Sequence, residues 1–206
     1  MKERPILFSA PMVRAILSGR KTQTRRIVKQ KHLPFLENIL GNFLDGKWNQ
    51  RPLPYGKTGD RLWVRETFAH DFEHNRYFYK ADCDNDGTVP HLINGSGIGG
   101  GIGNARIQKW KPSIHMPRLA SRILLEVVNV RVERLQDISE DDAKAEGSDV
   151  RDYLGRILLD QSSNQGCYKW GFRTAWESIN GQGSWDLNPF VWVVEFRTLE
   201  ISRAAS

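Results

Sequence analysis

Cysteine is scarce in this chain: Cys83 and Cys167 are the only two among 206 residues, far apart and without a second cysteine at metal-ligand spacing. A single possible bridge is no disulfide framework, so free thiols in a reducing compartment are expected, and a structural zinc site is not. No apolar run approaches the roughly 20 residues that span a bilayer. The start, Met1-Lys2-Glu3-Arg4-Pro5-Ile6-Leu7-Phe8, is basic but lacks the apolar stretch of a signal peptide. These absences lead to the expectation of a cytoplasmic protein with no membrane partner. The glycine-rich tract from Gly95 to Gly103 has no Gly-Lys-Ser/Thr after it and is not a phosphate-binding P-loop. Strands and helices do not alternate in the manner of a doubly wound sheet. There is no internal repeat.

Hydrophobic residues make up 39% of the chain and charged residues 26%, enough for one buried core in a chain short for two domains. One domain over 1–206 is the expectation. The formal charge of +6 is unevenly spread: residues 1–32 hold nine basic side chains against Glu3 alone, a surplus of eight, which leaves the remainder at −2. Such a basic end suits an anionic partner, RNA, other nucleic acid or a nucleoside derivative, and also fits a solvated surface.

Along the chain, Pro11 to Leu17 reads as a short helix capped by Ser9 and stopped by Gly19. An extended polar stretch follows from Lys21 to Val28. Gly59-Asp60 is a turn before a strand from Arg61 to Phe68, and Arg76 to Ala81 is a second strand. Arg122 to Arg134, rich in β-branched residues, is one bent strand or two. Ile138 to Gly147 is a helix with Ser139 as cap, acids in its first turn and a terminal glycine. Tyr168 to Ile179 is an amphipathic helix anchored by Phe172 and Trp176, and Phe190 to Phe196 is a closing strand. The composition of the remaining segments marks irregular insertions near 30–58, 82–110 and 148–168. The sum is an α+β, mainly β architecture: a small closed sheet with short helices at its ends and long loops.

The run Gly19-Arg20-Lys21-Thr22-Gln23-Thr24-Arg25-Arg26 resembles the Gly-x-Lys-x-x-x-x-Arg signature of the ASCH superfamily. The resemblance extends through Gly59-Asp60-Arg61-Leu62, the helix ending at Glu146 and the strand from Trp192 to Phe196. Arg4 to Met12 and Pro112 to Arg118 are similar to its phage- and prophage-encoded branch, which would place the protein in a host cytoplasm. The resemblance implies a PUA-like β-barrel and RNA or nucleotide chemistry. In small bacterial members that remove the acetyl group from N4-acetylcytidine, a Lys, a Thr and a Glu are catalytic. Those residues fall here on Lys21, Thr24 and Glu146, the last through Ala143-Lys144-Ala145-Glu146. Gly19, Arg20, Arg25 and Arg26 would surround them on the substrate side. No cofactor and no metal is implied.

That assignment is chemically coherent. A threonine hydroxyl becomes a nucleophile only when a neighbour takes its proton. A lysine does so only when neutral, which requires a pKa well below its reference of about 10.4. Arg20, Arg25 and Arg26 push in that direction, whereas Glu146 opposes it unless it is protonated or passes a proton to the leaving amine. Arg26 would hold an oxyanion or phosphate. The same residues also read as phosphate contacts in a binding module, with Glu146 a salt-bridge partner.

Other signals are weaker. Trp63, Arg65, Glu66 and His115 are further candidates for the substrate side: Trp63 and Arg65 share a strand face, Glu66 is a second candidate acid opposite them or at the strand end, and His115 could line the same rim, though a structural histidine is its default reading. Trp63, Trp176 and Trp192 fit core patterns, while Trp110, Tyr168 and Trp170 are possible base-stacking residues. His70 and His74 have metal-compatible spacing only on a helix, and they follow a strand.

Overall fold

The computed structural model describes residues 1–29, 53–71, 75–83, 110–150 and 167–201. Most of the stretches expected as insertions lie outside them. The exceptions include Leu53, which is buried with Val28 in the main core, and Tyr55, which packs against it.

Five strands form the main sheet: β1 (Glu3–Leu7), β2 (Gln23–Ile27), β3 (Arg61–Arg65), β6 (Ile123–Arg134) and β7 (Phe190–Ile201), in the order β1-β3-β6-β7-β2. A hairpin of β4 (Phe68–Asp71) and β5 (Arg76–Tyr79) stands beside it. β1 runs parallel to β3, and the other neighbours are antiparallel. Pro5 is tolerated in β1 because this is an edge strand, where a missing N–H breaks no second ladder. The expected strand from Arg61 to Phe68 is broken at Glu66 and Thr67, so β3 and β4 join different sheets.

The three α-helices among the described residues are α1 (Ala10–Leu17), α2 (Glu140–Ala145) and α3 (Tyr168–Asn180). α1 starts after extended Ser9 with Pro11 in its first turn, where a missing N–H is harmless. It buries Val13, Ala15 and Ile16. α2 is capped as its sequence indicates, with the Ser139 hydroxyl accepting from Asp142 N at 3.0 Å.

β7 divides the interior into two layers. Trp192, Val194 and Phe196 face a core shared with Ile6, Val13, Ile16, Leu62, Leu125 and Val127. Val191 and Val193, on the opposite pleat, join Leu135, Ile138, Phe172, Trp176 and Trp185 beneath α2 and α3. Both faces are covered, so β7 reads as a continuous apolar run rather than an alternating one.

The expected closed barrel is corrected to an open ladder: among the described residues no backbone pairing joins the edge strands β1 and β2. A side chain spans the gap instead, with Arg26 Nη2 donating to Leu7 O at 2.5 Å. Register shifts between Leu124 and Leu125, and between Val127 and Asn129, interrupt the β6–β7 ladder and add local twist.

Glu66 and Trp63 also depart from expectation. Glu66 is buried, and Arg122 grips it with Nε–Oε1 at 2.9 Å and Nη2–Oε2 at 3.1 Å. The same guanidinium holds Asp82 through two bonds of 2.7 Å and lies 4.0 Å from the Tyr79 ring centroid. Burial raises the Glu66 pKa and Arg122 opposes that rise. Glu66 thus ties the end of β3 to β6 and the turn after β5. Trp63 is half-exposed on the outer pleat of β3, where the Arg65 guanidinium stacks 5.1 Å from its ring. Replacing Arg122 by leucine strands the Glu66 carboxylate without its partner. The expected loss is about 3–5 kcal/mol of folding free energy, read from the urea midpoint.

Candidate functional site

The turn between α1 and β2 is held from both sides by backbone. Gly19 takes a positive φ of 72° to end α1. Arg20 N and Lys21 N both donate to Ala15 O, at 2.9 and 3.0 Å. Lys21 forms an isolated antiparallel bridge with Glu146, and Thr22 N donates to Ala145 O at 2.8 Å. Two segments more than a hundred residues apart are therefore locked together by main chain before any charge is considered.

Gly147 makes this approach possible. Its φ is 79°, and an added Cβ would lie 2.8 Å from Ala15 Cβ and 3.0 Å from Lys21 Cβ.

Lys21 is 2% exposed and among the largest fully buried side chains. Its Nζ donates to Glu146 Oε2 at 2.8 Å and to Glu146 O at 2.7 Å. Burial pulls the Lys21 pKa below the ordinary lysine value; Glu146 opposes this, and the charges of Arg26 and Arg25 add to it. The second Glu146 oxygen, Oε1, accepts from Arg25 Nη1 at 3.2 Å. Arg25 has no exposed side-chain surface. It also pairs with Glu133, and with Asp142 at 3.1 Å. Arg131 extends the network through Glu133 at 3.0 Å, Asp142 at 3.1 Å and Glu195. Gln23 Nε2 completes it on Asp142 O and Oδ1.

Thr24 and Arg26 lie on the other pleat of β2. They are opposite Val194 and Trp192, both members of the main core, whereas Arg25 is opposite Val193 of the α2–α3 layer. Thr24 is 1% exposed. The Arg26 guanidinium sits 5.2 Å and Lys21 Nζ 5.8 Å from the centroid of the Phe8 ring. Burial lowers the Arg26 pKa, while the nearby Tyr55 and Glu146 oppose that shift. Arg26 Nε is buried with no hydrogen-bond partner, and among the described residues Arg26 forms no ion pair. A desolvated guanidinium with an unused donor is suited to an anionic group.

Of the residues singled out from sequence, the structure brings together Lys21, Glu146 and Arg25 by direct contact, with Arg26 coupled to them across Phe8. Thr24 shares the Arg26 face of β2. Gly19 shapes the turn, and Arg20 is exposed, its Nε on Ser18 Oγ at 3.1 Å. Arg25, expected on the substrate side, is buried with its guanidinium on Glu133, Asp142 and Glu146 and beside the Phe172 ring. Trp63, Arg65, Glu66 and exposed His115 make no described contact with Lys21, Thr24 or Glu146; Arg65 Nε donates to Met116 O at 3.0 Å. His70 lies on β4 rather than a helix, and His74 is outside the described residues. No group of three or more His, Cys, Asp or Glu residues suited to a metal occurs among the described residues, and no helix there is long and apolar enough to cross a membrane.

Phe8, Tyr55, Glu133, Asp142 and Arg131 surround the site without being marked as site residues by the sequence. Asp142 was legible as a first-turn acid of α2. Glu133 carried a weaker signal, an acid at the far end of an apolar strand.

No protein-family model matches the chain, and no curated protein does. Among solved structures it is similar to the "High resolution crystal structure of ASCH domain from Lactobacillus crispatus JV V101", at 12% sequence identity and a TM-score of 0.39 over 96% of this chain and 79% of that one.

Replacing Gly147 by alanine forces a side chain into a positive-φ position and against Ala15 and Lys21. The expected cost is about 1–3 kcal/mol, checked by chemical denaturation. An unchanged midpoint would show that the approach of α2 to the turn is loose.

Proposed function

We propose that this protein is an amidohydrolase acting on an N4-acylated cytosine, free or in RNA, with Lys21, Thr24 and Glu146 as its catalytic residues. The observation that carries this reading is Lys21: a buried amine with a depressed pKa, hydrogen-bonded to a carboxylate whose other oxygen is occupied by a guanidinium. A lysine held in this way has a neutral form within reach as a general base. The resemblance of the Gly19 to Arg26 run to the ASCH signature supports the same choice.

In the proposed sequence, neutral Lys21 Nζ accepts the proton of Thr24 Oγ1 as that oxygen attacks the acyl carbonyl carbon. Arg26, with its unused Nε donor, stabilises the oxyanion of the tetrahedral intermediate. The intermediate collapses by breaking the bond to N4, and the proton held by Lys21 and Glu146 passes to that nitrogen. Cytosine leaves with its amine restored, and the acyl group remains as an ester on Thr24. Water, deprotonated by Lys21, then attacks the ester, returning the Thr24 hydroxyl and releasing the carboxylic acid.

A second reading has its own observation in favour: both Glu146 carboxylate oxygens accept a hydrogen bond and Lys21 Nζ donates two, as they would in a purely structural ion network. On that reading the chain is a nucleic-acid-binding module with Arg26 and the exposed cations of its first 29 residues on phosphates.

N4-acetylcytidine turnover separates the two. The expected outcome is release of cytidine and acetate, with kcat falling ~10²–10⁴-fold in Lys21→Ala and Thr24→Ala. Because the base form of Lys21 is the active one, kcat/KM should rise with pH along a limb centred below the ordinary lysine pKa of about 10.4. Full activity in both variants overturns the hydrolase reading. No turnover, together with RNA affinity that drops steeply with salt, establishes the binding module.

A further inference from the structure

Arg25 and Arg26 are adjacent in sequence and serve opposite layers. Arg26 lies over Phe8 at the main core, while Arg25 points through the other pleat of β2 toward α2 and α3, its guanidinium 5.8 Å from the Phe172 ring. Lys21 belongs to the Phe8 side, with Nζ 5.8 Å from that ring. The Glu146 carboxylate is the only described group that touches both Lys21 and Arg25, one oxygen on each.

We propose that Arg25 is a positioning residue that sets the proton affinity of Lys21 from the far side of the sheet, through Glu146. An unpartnered Glu146 would keep Lys21 protonated, since a buried carboxylate and ammonium at 2.8 Å attract strongly. Arg25 divides that attraction, because a guanidinium stays charged at any working pH. It fixes one carboxylate oxygen and leaves the other as a hydrogen-bond acceptor that orients Nζ. The charged groups facing Lys21 are Glu146 from the end of α2 and Arg25 and Arg26 from β2. Those facing Arg25 are Glu133 from β6, Asp142 from α2 and Glu146.

Glu133 and Asp142 compete with Glu146 for Arg25, and both are shared with Arg131. With Glu195 the network holds three cations, Lys21, Arg25 and Arg131, against four carboxylates. Without the guanidinium of Arg25, the surplus of negative charge around Lys21 would grow. The role in catalysis rests on the hydrolase reading; the effect on Lys21 itself does not.

The test follows Lys21 directly. The Cε signal of Lys21 is titrated by NMR in protein labelled with ¹³C-lysine, the resonance being assigned by its loss in Lys21→Ala. In Arg25→Gln the Lys21 midpoint should move upward, a gain in proton affinity of roughly tenfold or more, and Arg25→Lys should restore part of the difference. The acid-side limb of kcat/KM should move in the same direction. An unmoved midpoint in an Arg25→Gln protein that keeps its amide spectrum overturns the proposal. Should Arg25→Gln fail to fold, Glu133→Gln takes its place: with one competitor gone, Arg25 is drawn to Glu146 and the Lys21 midpoint should fall, whereas an unchanged midpoint again overturns the idea. A midpoint that responds in a protein with no N4-acetylcytidine turnover removes the hydrolase reading and keeps the electrostatic role of Arg25.

Discussion

One buried ion pair organises this molecule. Lys21 and Glu146 meet at 2.8 Å with almost no solvent contact on either side chain. Desolvating two charges costs more than their attraction returns unless further hydrogen bonds complete the arrangement. Here they do: the Lys21 ammonium also reaches the Glu146 carbonyl, and the carboxylate also reaches Arg25. The backbone bridge between the same two residues means that geometry, rather than charge alone, keeps them together. Gly147 is the concession that this close approach requires, since any side chain there would strike α1 and Lys21.

The second consequence is a division of labour along β2. A strand alternates its side chains between two faces, and the run Thr24-Arg25-Arg26 is thereby divided between two environments. Thr24 and Arg26 face the main core, where the Arg26 guanidinium lies over the Phe8 ring. Arg25 belongs to the acid-lined layer beneath α2 and α3. The basic excess of the N-terminal stretch is therefore not a uniform anion-binding surface. Lys21 and Arg25 are consumed internally, Arg26 is partly buried with a donor to spare, and Lys2, Arg20 and Lys29 remain exposed.

Much of this was legible in the residues themselves. Local signals placed the three α-helices of the described residues: Ser9 before α1 and Gly19 after it, Ser139 before α2 with acids in its first turn, and the amphipathic spacing of Phe172 and Trp176 in α3. The pairing of Lys21 with Glu146 followed from a motif resemblance rather than from periodicity, which carries no information about contacts 125 residues apart. Closure of the sheet was not legible, because periodicity within a strand says nothing about which distant strand its edge meets; among the described residues Arg26 reaches Leu7 O by a side-chain bond where no ladder joins β1 and β2. The surroundings of Arg25 and Glu66 were not legible for one shared reason. A charged residue near a motif suggests a ligand contact, yet its environment depends on which pleat it occupies and which distant acid or guanidinium waits there. Trp63 shows the converse, an aromatic in an apolar strand that lies half-exposed because its pleat is the outer one.

The proposed hydrolase requires Thr24, buried in the strand after Lys21, to act as a nucleophile. Brief incubation with N4-acetylcytidine, an acid quench and peptide mapping by mass spectrometry test this most directly. The expected result is a single acetyl group on the hydroxyl of Thr24 that accumulates during turnover and disappears as acetate is released. Cytidine production with no acetylated Thr24 peptide at any time, or with the acetyl group only on a lysine amine, would contradict it.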